Sequence, residues 1–274
     1  MYKSNKSNKF TYGILILGAI FIILPFAWMI VTSLKADNEV MIVPMKWIPS
    51  KWCFENYMQV LKIAAFRRFF INSTIVTISI TIGELITTIF AAYAFSRIQF
   101  KGRDIIFSIL IATMMVPSEI LLIPNFVTLS KFGWIDTYKA LIIPWCASIF
   151  TIFLLRQYFL TIPEELYKAA KIDGCSDFKF LWNIMLPMSK PALISIGILK
   201  IVASWNAFMW PLIVTNSENM RTLPVALSYF SSEAGINYNL LMAASTMIIL
   251  PMIVVYIMLQ KSIIEGISRT GIKG

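Results

Sequence analysis

Of the chain's 274 residues, 58% are hydrophobic and 14% charged, and the mean hydropathy is +0.75. A chain of this kind has lipid for its solvent, and its 31.2 kDa leaves room for about six spans of roughly 20 apolar residues, but not for a second soluble domain. The formal net charge of +10 does not point to nucleic acid, because the Lys and Arg residues are scattered between apolar runs instead of gathered on one patch. There is no histidine, and Cys53, Cys146 and Cys175 lie far apart without CxxC spacing. Zinc, haem and iron–sulfur sites are therefore not expected, nor is a structural disulfide.

Six apolar runs, at 11–33, 70–95, 105–129, 140–155, 191–214 and 240–259, predict an all-α, polytopic membrane protein. The first follows Lys3, Lys6 and Lys9, but it exceeds the roughly 7–15 apolar residues of a signal peptide and reads as an uncleaved anchor. The segment after it carries Trp47, Trp52, Phe54 and Tyr57 among mixed charges, which suits a stretch resting at the membrane interface. Six spans put both termini on one side. With that side inward, fourteen of the 24 Lys and Arg fall on inner segments, nine on outer ones, and Lys200 within a span; the excess places both termini in the cytoplasm.

Three ionisable residues interrupt these runs. Glu84 near the middle of the second and Lys200 in the fifth would each cost about 2.5–3.5 kcal/mol at a lipid-facing helix centre, so both are expected to face protein or water. Glu119 lies between Pro117 and Pro124 in the third, where freed backbone groups are acceptable only against protein or a cavity. Internal ion pairing and a substrate pathway are both open readings for the three. Trp205, Asn206 and Trp210 combine flat apolar faces with an amide, the chemistry that recognises a sugar. Membrane aromatics also serve as packing or interfacial anchors.

The polar, charged segment 161–191, set between two apolar runs, reads TIPEELYKAAKIDGCSDFKFLWNIMLPMSKP. Thr161 and Glu164 have capping-box spacing, Pro163 fits a first turn and Gly174 a helix stop, which predicts a short helix over about 163–173. Ser176 is placed to cap a second helix with Asp177 at the positive end of its dipole, and Phe178, Leu181, Trp182 and Met185 recur at helical spacing until Pro187 ends it. Two helices meeting at a glycine, with Ala169 and Ala170 beside Phe178 and Leu181, would make a knob able to enter a groove on another protein. The alternative is a solvated loop held by local caps.

Ala169-Ala170, three residues, Gly174, nine residues and then Ile184-x-Leu186-Pro187 resemble the signature loop of permease subunits in binding-protein-dependent ABC importers. The resemblance covers about 70–264, including AAYAFSRIQFKGRD at 91–104; WNAFMWPLIV at 205–214 and RTLPVALSYF at 221–230 resemble the carbohydrate permeases of the maltose and glycerol-phosphate type. It implies a cytoplasmic coupling-helix loop whose ATPase-docking positions are Glu164, Glu165, Lys168, Ala169, Ala170, Asp173, Gly174, Phe178, Ile184, Leu186 and Pro187. Where the family commonly has a glutamate before the two alanines, this chain has Lys168. The usual charge pair is therefore not carried over: either the partner surface has changed sign locally, or packing by Ala169, Ala170 and Gly174 carries the docking, with Glu164 or Glu165 as a substitute one turn upstream. The final GISRTGIKG resembles a C-terminal tail that inserts between ATPase subunits, with Gly271, Lys273 and Gly274 at the matching positions.

The division that follows is 1–69 (N-terminal tail, first span and interfacial loop), 70–264 (permease core) and 265–274 (cytoplasmic tail). The assembly implied is a bacterial plasma-membrane importer, with a second permease as heterodimer partner, a cytoplasmic ATPase dimer and an extracytoplasmic solute-binding protein delivering a carbohydrate. No GxxxxGK[ST] run occurs in the chain, so the chain is read as non-catalytic, with ATP and Mg bound by the partner ATPase and no cofactor of its own. ATPase dimerisation would move the docked loops as levers. In some related heterodimers the partner permease holds the sugar. A reading of another class is a stand-alone secondary transporter or channel using Glu84, Glu119 and Lys200, whose mark would be repeated halves with paired broken helices; the chain has no clear internal repeat. A membrane-embedded enzyme would need converging bases and nucleophiles that the sequence does not offer.

Overall fold

A computed structural model describes residues 7–62, 65–232 and 235–271. Apart from one short antiparallel pairing of Ser231–Ser232 with Gly235–Ile236, the described residues in regular structure are helical. Among the described residues, four helical stretches are long and apolar enough to cross a membrane: Thr11–Ser33, Phe66–Ser96, Tyr138–Leu160 and Tyr238–Gln260. A fifth candidate is the pair Asp177–Met188 and Lys190–Trp205, bent by 78°. The chain divides into two compact units, Met1–Arg67 with Ala226–Ile253, and Arg68–Val225 with Val254–Gly274.

In the first unit, α1 (Ser7–Ser33) keeps its apolar side chains on the outside, with Leu17 68% and Phe21 81% exposed, as befits a helix solvated by lipid. The segment after it, read from the sequence as interfacial, is ordered around buried Lys35. The Lys35 ammonium donates to the Lys46 carbonyl at 2.6 Å and lies 4.1 Å over the Trp28 ring, which meets Trp47 edge-on at 4.9 Å. Short helices α2 (Asp37–Val40) and α3 (Glu55–Lys62) complete it. Buried Asn56 in α3 donates to the carbonyls of Ser33 and Lys35 at 2.8 and 2.9 Å, satisfying the orphan acceptors that end α1.

The second unit is built along α4 (Phe66–Ser96). At one end of α4, Val76 and Ile80 pack with Leu129, Leu141, Trp210 and Val214; at the other, Ala92 and Tyr93 pack with Leu155, Phe159, Phe180, Leu181 and Met185. Between the two apolar clusters lies a polar belt: Glu84 with Lys200, the Thr87 hydroxyl donating to the Cys146 carbonyl at 2.6 Å, and Thr88 bonded to Thr151 at 2.9 Å. Gly83 makes this belt possible, because a Cβ there would lie 2.7 Å from Cys146 Sγ.

Three of the predicted runs are interrupted. The run at 105–129 is α5 (Arg103–Thr113) and α6 (Leu122–Lys131), separated by a turn-rich stretch at 114–121. Pro117 supplies no N–H and disfavours helical backbone at Val116, which explains the break. The run at 140–155 extends from α7 (Tyr138–Ile142) through a 3₁₀ turn at Ile143–Trp145 to α8 (Ile149–Leu160). After α9 (Glu164–Ile172), α10 (Asp177–Phe180) and α11 (Leu186–Met188), the run at 191–214 divides at 206–208 into α12 (Lys190–Trp205) and α13 (Met209–Val214). Beyond the short α14 (Leu223–Ala226), α15 runs from Tyr238 to Gly271. It thus continues through much of the segment read as a tail, while Lys273 and Gly274 lie outside the described residues.

Candidate functional site

The loop after α8 folds as two short helices about Gly174, whose φ of +74° is the left-handed conformation that a glycine stop supplies. The capping box does not form. The Thr161 hydroxyl donates back to the Tyr158 carbonyl at 2.7 Å, and Pro163 stands at the α9 N-cap without a side-chain cap. The second cap does form, with Ser176 Oγ accepting from the Lys179 N–H at 3.3 Å. Pro187 does not end the helix. A π-helical turn over Leu181–Met185, in which the Leu186 N–H reaches back to the Leu181 carbonyl, widens the backbone ahead of the proline so that helix runs on to Met188.

The exposed face of this knob comprises Glu164, Glu165, Lys168, Ala169, Asp173 and Phe178, with Gly174 and Pro187 also at the surface. Phe178 stacks on Trp182 at 6.1 Å, and both are more than half exposed. Contrary to the sequence reading, Ala170 faces inward, at 9% exposure, and Leu181 at 2% is core; Ile184 and Leu186 are half-buried against the same cluster. Small Ala170 lets α9 lie close on Phe159 and Phe180. Lys168 pairs with Glu164 one turn away at 3.3 Å. Glu165 is exposed, with no ion pair among the described residues.

One carboxylate ties the knob to α4. Asp177 Oδ1 accepts from the Tyr93 hydroxyl at 3.0 Å and from the Tyr167 hydroxyl at 2.7 Å, while Oδ2 meets Lys171 Nζ at 2.9 Å. The hydrogen bond to Asp177 pushes the Lys171 ammonium above its ordinary pKa against a smaller opposing effect of burial. Burial first, then Asp177, push the Tyr167 phenol up as well. Beside this latch, buried Arg97 at the end of α4 donates to the carbonyls of Phe159, at 2.8 Å, and Ile162. Sequence reasoning placed Asp177 only as a helix-dipole partner. The convergence of donors from 93, 167 and 171 depends on tertiary packing.

At the other end of α4 is a cavity of about 620 Å³ whose lining includes Glu119, Asn125, Trp145, Lys200, Phe208 and Trp210. Lys200 forms an ion pair with Glu84, which is 1% exposed, and its ammonium lies 5.9 Å from the Trp145 ring centre. Trp145 meets Trp210 edge-on at 5.9 Å, and Trp210 Nε1 donates to the Ala140 carbonyl at 3.0 Å. Glu119 falls in the break between α5 and α6 and lines the cavity. Trp205 and Asn206 do not line it: Trp205 is buried edge-on against Phe70 at 5.8 Å, and Asn206 Nδ2 caps the Val202 carbonyl at 2.9 Å. A helix ending at Trp205 turns those two away, and Trp210 is joined in the lining by Trp145 and Phe208, neither singled out in the sequence.

Residues 83–269, more than half of the chain, match the family described as the inner membrane component of binding-protein-dependent transport systems. The chain belongs to this family. This permease is 33% identical over 276 residues to the arabinooligosaccharide transport permease AraQ of Halalkalibacterium halodurans, covering 98% of this chain and 99% of that one. To the sn-glycerol-3-phosphate transport permease UgpE of Brucella suis it is 32% identical over 273 residues, covering 96% and 97%. Its fold matches a chain in the crystal structure of a bacterial ABC transporter that imports the acidic polysaccharide alginate, with TM-score 0.84 and 25% identity over 95% of this chain and 99% of that one. A structure of a bacterial alginate ABC transporter with its alginate pentasaccharide-bound periplasmic protein shares the fold at TM-score 0.65 and 16% identity. The permease is a multi-pass membrane protein of an importer.

Proposed function

We propose that this chain is one of two permeases of an ATP-driven carbohydrate importer and couples to a cytoplasmic ATPase dimer through the 161–191 knob. The observation that carries the reading is the knob itself. Two helices set about Gly174 are latched to α4 by Asp177, with an apolar and acidic face formed by Glu164, Glu165, Ala169, Asp173, Phe178 and Trp182 left exposed. Groove recognition needs such a rigid, partly apolar projection. Lys168 is engaged by Glu164, so docking relies on Glu165 and on apolar packing instead of a glutamate at position 168.

In this reading the chain crosses the membrane six times with both termini in the cytoplasm, the broken α5–α6 stretch serving as the third crossing. Residues 70–264 are the core, and the end of the chain at Gly271, Lys273 and Gly274 reaches the ATPase. ATP and Mg belong to that partner, a binding protein delivers the solute outside, and Glu84, Glu119, Lys200 and Trp210 border its path. Carbohydrate as cargo is supported by the names of the relatives and by the aromatic wall of the cavity. The test is extraction of the tagged chain from its native membrane in mild detergent with identification of everything that co-purifies. Recovery of a second permease and a Walker-motif ATPase is expected; a stable complex without an ATPase overturns the reading and favours a self-contained transporter.

A further inference from the structure

The cavity beside α4 has a charge balance that bears on its ligand. Its volume of about 620 Å³ lies within the roughly 300–1,000 Å³ of small-molecule sites. Trp145, Phe208 and Trp210 supply flat apolar faces, and Ser118, Asn125 and Ser204 supply neutral polar groups. Glu119 and Lys200 are its ionisable lining residues among those described. The Lys200 charge is already taken by buried Glu84, leaving Glu119 as the uncompensated charge. Its carboxylate accepts one hydrogen bond, from Ser118 Oγ at 3.1 Å, and is exposed, so it retains lone pairs for a ligand.

We infer that this cavity is a binding subsite for a short neutral oligosaccharide, and that Glu119 makes it reject solutes bearing a phosphate or uronate. Sugar hydroxyls donate charge-assisted hydrogen bonds to the Glu119 carboxylate while the ring faces stack on tryptophan. An anionic solute would lose its hydration next to a carboxylate with the nearby lysine already paired. The cavity therefore sorts this chain away from the phosphorylated and uronate cargoes named for some of its relatives and towards neutral ones. The inference rests on the importer reading only in taking the cavity to lie on the solute path.

The test uses the detergent-solubilised complex recovered with this chain, freed of binding protein. Saturation-transfer NMR measures the binding of arabinotriose, of an alginate-derived trisaccharide and of sn-glycerol 3-phosphate. Arabinotriose is expected to bind, and both anions at least tenfold more weakly. In Glu119→Lys that ratio should fall tenfold or more, with Glu119→Gln between; Glu119 is exposed, so neither change disturbs a core. Equal or tighter binding of an anion to the unaltered complex, no binding of arabinotriose, or a ratio unmoved by Glu119→Lys overturns the inference. None of these results bears on whether an ATPase co-purifies, which alone decides the importer reading.

Discussion

Asp177→Ala removes the acceptor on which Tyr93, Tyr167 and Lys171 converge, and the structure sets the size of the effect. Tyr93 is 4% exposed, so its hydroxyl is left without a partner, a loss of about 1–3 kcal/mol. The half-buried Tyr167 hydroxyl adds about 0.5–1.5 kcal/mol. The Lys171 ion pair, with side-chain exposures of 38% and 46%, adds little because water screens it. Together these weaken the latch by about 2–4 kcal/mol, or roughly 30- to 1,000-fold in its opening equilibrium at about 1.4 kcal/mol per tenfold. Hydrogen exchange of the 164–180 segment should quicken by that factor while the protection of mid-α4 amides stays unchanged. Tyr93→Phe removes one donor and leaves the carboxylate its other two, so it should cost about 1 kcal/mol. Exchange unchanged in Asp177→Ala, or an effect of Tyr93→Phe equal to it, would refute the argument that one carboxylate holds the knob.

Gly174→Val forces a β-branched residue to φ +74° with no atom within 4 Å of its Cβ, so the strain is purely backbone, about 1–3 kcal/mol. Transport should fall relative to ATP hydrolysis in the reconstituted complex, with Gly174→Asn milder; normal coupling counts against the docking role. Gly83→Ala places a methyl 2.7 Å from Cys146 Sγ and should cost about 1–3 kcal/mol, read as a lower thermal midpoint in detergent. Adding Cys146→Ala, which removes the sulfur, should restore part of it. Lys200→Met strands Glu84 at 1% exposure and should destabilise by about 3–5 kcal/mol, while Lys200→Met with Glu84→Gln should be milder; equal losses would mean that the pair is not coupled. Burial pushes the Asp136 carboxyl up, but the amide donors of Ser217 and Asn216, at 3.0 and 2.9 Å, outweigh it and hold the group below its ordinary 3.8. A depressed carboxylate stabilises above its unfolded pKa and loses that contribution as pH falls through the folded one. The gap in thermal midpoint between the native chain and Asp136→Asn should therefore be constant above pH 5 and close below pH 3.8; a gap unchanged into acid would contradict this.

Some of the chain was legible without coordinates because the determinants are local. Apolar runs mark where lipid must be the solvent, Gly174 marks a helix stop that a Cβ would strain, and Ser176 marks a cap; each depends on neighbours within one helical turn. The spacing of Ala169, Ala170, Gly174 and Pro187 pointed to the family from a few residues. What failed was whatever a competing partner decides. Thr161 turned its hydroxyl to Tyr158 instead of capping α9, and a π turn let the helix pass through Pro187. Pro117 broke the third run into two helices that hydropathy alone had joined.

The sequence by itself therefore determined an all-helical membrane protein, a polar knob between its spans and three ionisable residues that lipid could not accept. It did so because burial cost and backbone sterics act residue by residue. Only the tertiary structure decided that Glu84 satisfies Lys200, that Asp177 latches the knob to Tyr93, and that Trp145 and Phe208 wall the cavity in place of Trp205 and Asn206. Those pairings join residues 10 to more than 100 positions apart, and a contact between distant segments is fixed by how whole helices pack, which no local pattern encodes.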